Sequence, residues 1–92
     1  MPIVTLRYWA AAKDAAGTAE ETVAAETLAD ALAAARGKTD SGQHAGQHAR
    51  LAAVLARSSF LIDGAPVGSR APEAVVLTDS AVIEVLPPFA GG

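Results

Sequence analysis

Two apolar segments with the alternation of β-strands lie near the two ends of the chain, and they constrain the fold more than any other feature. Residues 3–9 have the sequence IVTLRYW and residues 81–86 the sequence AVIEVL, both rich in β-branched or aromatic side chains. Between them, residues 27–37 carry apolar residues at helical spacing. Strands on both sides of a helix predict an α+β fold, with a mixed sheet and its helices packed on one face. We expect the first and last strands to be neighbours at the centre of the sheet.

Turn-forming residues divide the rest of the chain into shorter elements. Gly17 is positioned to end a helix, and Asp63–Gly64 is a strong hairpin signal. A polar, glycine-bearing stretch over 38–47 predicts a loop. The remaining predicted elements are a helix over 10–17, a strand over 19–25, a helical segment over 48–58, a hairpin over 60–67 and a short strand over 75–77.

The alternation also assigns a direction to the strand side chains. The predicted core consists of the inward positions of the terminal strands and of the central helix: Val4, Leu6, Tyr8, Leu28, Ala31, Leu32, Ala35, Ile83 and Val85. Trp9 and Leu86 fall on the opposite, outward face. Because exposed aromatic side chains often anchor protein interfaces, Trp9 is a candidate partner contact.

The composition excludes several classes of function. The net charge is -3 and there is no basic run, which argues against binding to nucleic acid. The chain has no cysteine, so disulfides, thiolate metal sites and a cysteine nucleophile are excluded. No apolar run is long enough to span a membrane, and the first residues lack the pattern of a signal peptide. We expect a cytoplasmic protein with neither nucleic acid nor membrane as a partner.

Candidate metal-binding and catalytic motifs are weak. His44 and His48 have a spacing that could place two imidazoles on one metal ion, but Gly46 lies between them and no third ligand accompanies them. The sequence GKT over 37–39 lacks the upstream glycine of a phosphate-binding loop. No serine lies in a nucleophile motif. We predict no metal site, no bound cofactor and no catalytic residue.

The last six residues, PPFAGG, are typical of a substrate handle. Pro87 and Pro88 cannot donate to a sheet ladder, so the last strand stops there and the chain continues in an extended form. Gly91 and Gly92 have no side chains and can enter a narrow channel, and a terminal carboxylate on Gly92 is ionised at neutral pH. The sequence therefore predicts a domain over 1–86 and a flexible tail over 87–92, inserted into a partner through Pro87, Pro88, Phe89, Ala90, Gly91 and Gly92.

With these features the chain resembles the ubiquitin-like β-grasp sulfur carriers, and most closely the small subunits of molybdopterin synthase. Residues 8–17, YWAAAKDAAG, are similar to the segment that follows the first strand of those subunits. Residues 82–92, VIEVLPPFAGG, are similar to their last strand and Pro-Pro-x-x-Gly-Gly tail. Two stretches depart from the pattern. The turn over 79–81 has Asp-Ser-Ala where those subunits often have Asp-Gly-Asp, and the 38–50 loop is polar and repetitive.

The resemblance implies a sulfur-donating subunit that is not itself catalytic. An ATP-dependent activating enzyme would adenylate the carboxylate of Gly92, and a sulfur donor would convert it to a thiocarboxylate. The tail would then enter the large subunit of molybdopterin synthase, which would hold the active site, and deliver sulfur for molybdenum cofactor biosynthesis. Trp9 and Leu86 fall where the family keeps apolar contacts with its partners.

Other functions fit a Gly-Gly tail as well. A sulfur carrier for thiamine or cysteine biosynthesis would share it, although Tyr8-Trp9-Ala10 and Pro87-Pro88 favour the synthase subunit. A ubiquitin-like modifier conjugated to lysines through Gly92 is an alternative of another class. A β-grasp interaction module with an inert tail is the simplest alternative.

Overall fold

The computed structural model describes residues 1–37 and 45–88, and this part of the chain forms one mixed sheet with helices. The elements in chain order are β1 (Ile3–Tyr8), α1 (Ala10–Ala16), β2 (Glu20–Ala24), α2 (Leu28–Gly37), α3 (Ala45–Arg57), β3 (Ser59–Ile62), β4 (Ala65–Pro66) and β5 (Val82–Leu86). A short 3-10 turn, Pro72–Ala74, precedes β5. The predicted α+β class is confirmed.

The sheet has the strand order β2-β1-β5-β3-β4. β1 and β5 pair in parallel at its centre, with Leu6 opposite Ile83 and Tyr8 opposite Val85. The backbone N–H of Thr5 donates to the carbonyl oxygen of Ala81 at 2.9 Å, where the parallel pair begins. The other strand pairs are antiparallel. The predicted adjacency of the first and last strands is therefore confirmed, and the topology is that of the β-grasp fold.

The core lies between one face of the sheet and the helices. All the core positions predicted from the alternation are buried, in one cluster with residues of the other elements: Val4, Leu6, Tyr8, Leu28, Ala31, Leu32, Ala35, Ile83 and Val85. The sequence also predicts that Leu51, Ala52 and Leu55 face inward; Leu51 and Leu55 of α3 join the same cluster, whereas Ala52 is only partly buried. α3 therefore packs on the side of the sheet that α2 covers. Aliphatic side chains at period two in strands and at helical spacing in helices account for this arrangement.

The helix ends and the hairpin turn predicted from the sequence are present in the structure. The N–H of Asp30 donates to the Thr27 hydroxyl at 3.2 Å, which caps the first turn of α2. Gly17 ends α1 in the left-handed conformation, with φ 76°. Asp63 and Gly64 both have positive φ, 49° and 85°, as the two-residue turn of a hairpin requires. The side chain of Asp63 also accepts a hydrogen bond from the N–H of Val82 at 3.0 Å, so the β3–β4 hairpin is fastened to the start of β5.

Two segments differ from the sequence-based expectation. Residues 75–77 do not enter the sheet; they make one isolated bridge, between Val76 and Thr27. Val75 and Leu77 are buried there, so the apolar alternation serves the core without requiring a sheet partner. α3 begins at Ala45, within the stretch expected to be a loop and three residues before the predicted start.

Some predicted features fall outside the described residues. They are most of the polar loop, including His44, and the tail from Phe89 to Gly92. The side chain of His48 also lies outside the described part. Among residues 1–37 and 45–88, no helix combines the length and the apolar character needed to cross a membrane.

Truncation of Leu32 tests the packing of α2 on the sheet. Leu32 is 6% exposed, so Leu32→Ala should lower the free energy of unfolding by about 2–5 kcal/mol. Ala33→Ser, on the exposed side of the same helix, is the control and should change it by no more than about 0.5 kcal/mol. Denaturant unfolding measures both. A loss well below 1 kcal/mol for Leu32→Ala would contradict the assignment of Leu32 to the core.

Candidate partner interface at the tail exit

One face of the sheet is packed against the helices, and the other carries the alternate, more exposed side chains. On β1, exposed Arg7 lies between buried Leu6 and Tyr8. On β5, partly exposed positions, among them Glu84 and Leu86, alternate with buried ones. We call this second surface the open face. It contains apolar and charged side chains side by side, a composition suited to the surface of a protein partner.

Trp9 and Leu86 lie together at the end of the open face where β5 finishes. Tyr8 is opposite Val85 in the parallel register, so the next residues along the two strands, Trp9 and Leu86, are neighbours on the outward side. The N–H of Trp9 donates to the carbonyl oxygen of Val85 at 3.3 Å. Trp9 is 44% exposed and Leu86 is partly exposed. The outward orientation predicted for both side chains agrees with the structure.

Charged side chains of β1 and β2 lie beside Trp9. The Arg7 guanidinium lies over the Trp9 ring, 5.4 Å from its centroid, close enough for a cation–π interaction. The same guanidinium lies 3.8 Å from a carboxylate oxygen of Glu20 on β2. In the strand register Arg7 also lies opposite Glu84. The Arg7 side chain thus contacts both Glu20 and the Trp9 ring, and Trp9 remains 44% exposed.

A shallow cleft of about 470 Å³ adjoins Trp9. Its walls come from the end of β1, the first turns of α1 and the start of β2, and they include Arg7, Trp9, Lys13, Asp14 and Glu20. Cations and anions are both present, and the cleft is partly open to solvent. These properties suit the docking of a protein side chain better than the enclosure of a small substrate.

Ala10 connects the strand to the helix with an unusual backbone conformation. Its φ is 49°, in the left-handed region that non-glycine residues rarely adopt. The carbonyl oxygen of the preceding Trp9 accepts hydrogen bonds from the N–H groups of Ala12 at 3.0 Å and Lys13 at 3.4 Å. The chain therefore turns sharply at Ala10, and Trp9 remains at the edge of the sheet while α1 folds back over the core. The sequence gives no signal for this conformation.

Tyr8, which precedes Trp9 in the sequence, has a structural role. It is 2% exposed, and its hydroxyl donates to a carboxylate oxygen of Glu21 at 2.7 Å. Burial raises the pKa of the Tyr8 phenol well above its usual value, and the hydrogen bond to the Glu21 carboxylate adds to the increase. The phenol is therefore neutral at physiological pH, and its buried hydroxyl has a hydrogen-bond acceptor in the Glu21 carboxylate at the margin of the core.

The chain leaves the sheet at Leu86. Leu86 pairs with Ser59 of β3 as the last residue of β5, and Pro87 and Pro88 follow without belonging to a strand. This is the stop that two prolines predict. Phe89, Ala90, Gly91 and Gly92, which the sequence places in the inserted tail, lie outside the described residues.

Leu61 is a further apolar residue of the open face that the sequence analysis did not single out. It pairs with Glu84 on one side and with Pro66 on the other. Its neighbours along β3, Phe60 and Ile62, pack against the core, so Leu61 points away from it. The alternation within FLI could have identified it. The apolar part of the open face thus extends from Trp9 and Leu86 towards Leu61.

No group of three or more histidine, aspartate or glutamate side chains within the described part of the chain is arranged to hold a metal ion. The residues that the structure brings together at the tail exit are Arg7, Trp9, Glu20, Leu86 and Pro87. These side chains provide apolar surface and charges that a protein partner can contact. Among them there is no nucleophile paired with a base, the minimum that covalent catalysis requires.

Comparison with known proteins identifies the fold. No family model and no curated protein matches the chain. Among solved structures, the small archaeal modifier protein 1 from Methanosarcina acetivorans superposes with a TM-score of 0.78 and 24% identity, over 100% of this chain and 98% of that chain. The protein of the same name from Haloferax volcanii gives 0.70 and 20%, over 98% and 99%. A chain from the complex of subunits 1 and 2 of molybdopterin-converting factor from Helicobacter pylori gives 0.64 and 20%, over 98% and 99%.

These similarities extend over nearly the whole of each chain. At such identities they show a common fold, the ubiquitin-like β-grasp. The fold that the sequence resemblance implies is therefore confirmed.

The Tyr8–Glu21 pair generates a test in alkaline solution. The folded protein holds the phenolic proton more tightly than the unfolded chain does, because the pKa of Tyr8 is raised. The titration of this group should therefore leave the free energy of unfolding unchanged below about pH 10, the pKa of an exposed tyrosine, and lower it as the pH rises above that value. Tyr8→Phe should remove that part of the decline and cost about 1 kcal/mol at neutral pH.

The chain has a single tyrosine, so tyrosinate absorbance reports on Tyr8 alone. It should appear together with the loss of folded structure, as followed by circular dichroism. Ionisation of Tyr8 near pH 10 in a protein that is still folded would contradict the burial of its hydroxyl.

Proposed function

We propose that this protein is a ubiquitin-like sulfur carrier that carries sulfur as a thiocarboxylate on Gly92, and that it serves as the small subunit of a molybdopterin synthase. The observation that carries the proposal is the position of the tail exit. β5, at the centre of the sheet, ends at Leu86 beside the exposed Trp9, and the sequence continues from that point as PPFAGG. A surface for a partner and a segment for insertion therefore adjoin one another.

The composition of the tail suits delivery of a carboxylate into an enclosed site. Six extended residues, 87–92, reach about 20 Å. Pro87 and Pro88 restrict the first part of that span, which reduces the entropy lost when the tail is ordered in a channel. Gly91 and Gly92 add no side chains at the end, so the backbone can approach a catalytic group closely.

The proposed chemistry exchanges one carboxylate oxygen of Gly92 for sulfur. A carboxylate is a poor electrophile, so an activating enzyme first uses ATP: a carboxylate oxygen attacks the α-phosphorus, pyrophosphate leaves and an acyl-adenylate forms. A sulfur nucleophile at the oxidation level of sulfide then attacks the acyl carbon, and AMP leaves with that oxygen. The product is the thiocarboxylate, whose sulfur attacks an electrophilic carbon of a pterin precursor in the large subunit and displaces an oxygen substituent from it. Hydrolysis of the resulting thioester leaves sulfur on the pterin and restores the carboxylate.

In this proposal the large subunit recognises the open face. Trp9, Leu86 and Leu61 provide apolar anchors, and Arg7 and Glu84 provide charges between them. Large aromatic and aliphatic residues at the centre of an interface commonly contribute most of its binding energy. The large subunit would supply the catalytic groups, and this chain the sulfur and the docking surface.

The similarity to archaeal modifier proteins supports a second candidate, a modifier that is joined to lysine side chains of other proteins through Gly92. The proteins of that name from Methanosarcina acetivorans and Haloferax volcanii share the fold over nearly the whole chain. Both functions need an activated Gly92, and they diverge in the group that attacks it. Sulfur gives a thiocarboxylate, whereas a lysine amine gives an isopeptide bond.

The mass of the intact protein tests the carrier chemistry. After incubation with an activating enzyme, ATP and a sulfur donor, the protein should gain the mass difference between sulfur and oxygen at its C-terminus. A variant without Gly92 should gain nothing, because its carboxylate stops about 3.5 Å short of the reacting atoms, beyond the tolerance of a near-attack geometry. A thiocarboxylated deletion variant that supports molybdopterin formation as well as the parent would show that Gly92 is not the carrier residue.

Protein taken from its own cells distinguishes the two candidates. Isolation of the protein from its own cells, followed by tryptic peptide mapping, should give the free or thiocarboxylated Gly92 and no remnant of residues 71–92 on lysines of other proteins; Arg70 is the last basic residue before Gly92. Abundant remnants of residues 71–92 together with an absence of thiocarboxylate would favour the modifier.

Substitution of Trp9 and of Leu86 tests the interface. Trp9→Ala and Leu86→Ala should each weaken binding to the large subunit by about fivefold or more, as expected for anchors at an interface, while circular dichroism shows an unchanged fold. Val76→Ser is a control, because Val76 is an exposed apolar residue that adjoins α2 and not the tail exit. Equal affinity in both anchor variants would place the interface elsewhere.

A further inference from the structure

A second cleft lies beside the tail exit, on the side of β5 away from Trp9. It has a volume of about 340 Å³, and its walls come mainly from the start of β3 and from β4 with the loop that follows it. Ser59 lines this cleft and pairs with Leu86, the last residue of β5. Because neighbouring strands lie about 5 Å apart, the cleft adjoins the point where the tail leaves the sheet.

The walls of this cleft are mostly apolar and carry a single sign of charge. The apolar lining includes Phe60, Val67 and Pro72. Among the described residues that line the cleft, Arg70 is the only charged one, whereas the cleft beside Trp9 has charges of both signs. We call this second cleft the Arg70 cleft.

The backbone of the adjoining loop holds the Arg70 side chain in place. Its Nε–H donates to the carbonyl oxygen of Val67 at 3.0 Å, and an Nη2–H donates to that of Pro66 at 3.2 Å. Both bonds use the edge of the guanidinium that Nε and Nη2 form. Within residues 1–37 and 45–88 Arg70 makes no ion pair, so the edge formed by Nη1 and Nη2 is available to a ligand.

A carboxylate is the ligand that fits this edge. Two parallel N–H groups of a guanidinium match the two oxygens of a carboxylate in a bidentate pair. The two carbonyl groups already order the Arg70 side chain, so less entropy is lost on binding than with a free arginine. Nucleic acid would bring many phosphates to one cation on a chain of net charge -3, and it would be repelled.

The apolar walls and the position of the cleft indicate a protein as the source of the carboxylate. Phe60 and Pro72 are partly exposed, and an apolar side chain next to the carboxylate would cover them. A protein bound at the tail exit would lie about one strand spacing from Ser59. We infer that the Arg70 cleft binds an acidic segment of the protein that receives the tail, in which an apolar side chain adjoins an aspartate or glutamate.

The identity of this partner rests on the proposed function, whereas the affinity of the cleft for such a segment does not. Peptide binding is measured on the chain without any enzyme, and the mass gain at Gly92 is a separate measurement. A chain that binds the peptide but is never thiocarboxylated would overturn the proposed function and leave the cleft as a binding site. A thiocarboxylated chain that does not bind the peptide would overturn the inference about the cleft alone.

A titration followed by NMR tests the binding of an acidic segment. The probe is a synthetic peptide of alternating leucine and glutamate, added to the full chain. Both molecules have a net negative charge, so a general attraction between opposite charges cannot bring them together. Amide shifts should concentrate in residues 58–61 and 66–72, and the Nε–H signal of Arg70 should move. The same peptide with glutamine in place of glutamate should bind about threefold or more weakly. Shifts centred on Trp9, or equal affinity for the two peptides, would overturn the inference.

Substitutions of Arg70 test its role in that binding. Arg70→Gln should weaken the glutamate peptide by about threefold or more. Arg70→Lys should lose part of the affinity, because lysine keeps the charge but not the planar pair of donors. Lys13→Gln removes the same charge from the cleft beside Trp9 and is the control, with the affinity unchanged. An equal loss in Arg70→Gln and Lys13→Gln would contradict the assignment of the site.

A variant that retains Arg70 tests the cleft without disturbing the loop that Arg70 holds. Ser59 is exposed, so Ser59→Glu should place a carboxylate at the cleft and weaken the glutamate peptide by about threefold or more. Thr78→Glu is the matched control, because it adds the same charge at an exposed turn that precedes β5, and it should leave the affinity unchanged. An unaffected Ser59→Glu variant, or an equal loss in Thr78→Glu, would overturn the inference.

Discussion

The parallel pairing of β1 with β5 is the interaction on which the rest of the structure depends. It joins segments more than seventy residues apart, with Thr5 opposite Val82 and Tyr8 opposite Val85. A parallel pair cannot be closed by a tight turn, so everything between the two strands must form a crossover that returns to the same sheet. The helices of that crossover cover one face, and the other face stays open. The same pairing brings the end of β5 beside Trp9, and the tail exit follows from it.

This topology separates the molecule into two ends with different chemistry. At the tail exit, Arg7 and Lys13 accompany Trp9 and mixed charges line the cleft. At the other end, where β1 begins, the exposed side chains include the carboxylates of Glu26 and Asp79 and the aliphatic side chain of Val76.

Much of the fold could be predicted from the sequence because the decisive signals are local. The period-two pattern placed Val4 and Leu6 in the core, and the turn chemistry of Asp63–Gly64 identified the hairpin. The apolar alternation of 75–77 suggested a strand, but alternation records burial on one side and says nothing about a sheet partner. The sequence does not predict the start of α3, because Ala45 lies in a polar, glycine-bearing stretch. The residues of α3 that pack in the core, Leu51 and Leu55, lie further along the helix.

The candidate site could be predicted only in part from the sequence. The outward direction of Trp9 and Leu86 followed from alternation, and the structure agrees. Alternation does not predict the cation–π contact of Arg7 with Trp9 or the left-handed backbone of Ala10. Both depend on the path of the chain after β1. Ser80 is a similar case: it has φ 69° at the turn position where the resembled subunits often carry glycine. Tertiary hydrogen bonds hold it there, since its N–H donates to the carbonyl oxygen of Ile3 at 2.8 Å.

The proposed function, in which the reactive group is a terminal carboxylate, places few demands on the side chains of the domain. The reaction needs a tail of fixed reach, and it needs recognition surfaces that choose the enzyme into which the tail is inserted. Six residues can reach at most about 20 Å from Leu86 when extended, and the proposed function uses this reach to keep the domain outside the site that it supplies. Recognition by the open face and chemistry at the tail can then change independently. This is consistent with proteins that retain the fold at 20–24% identity while their names assign them to modification in one case and to a converting factor in another.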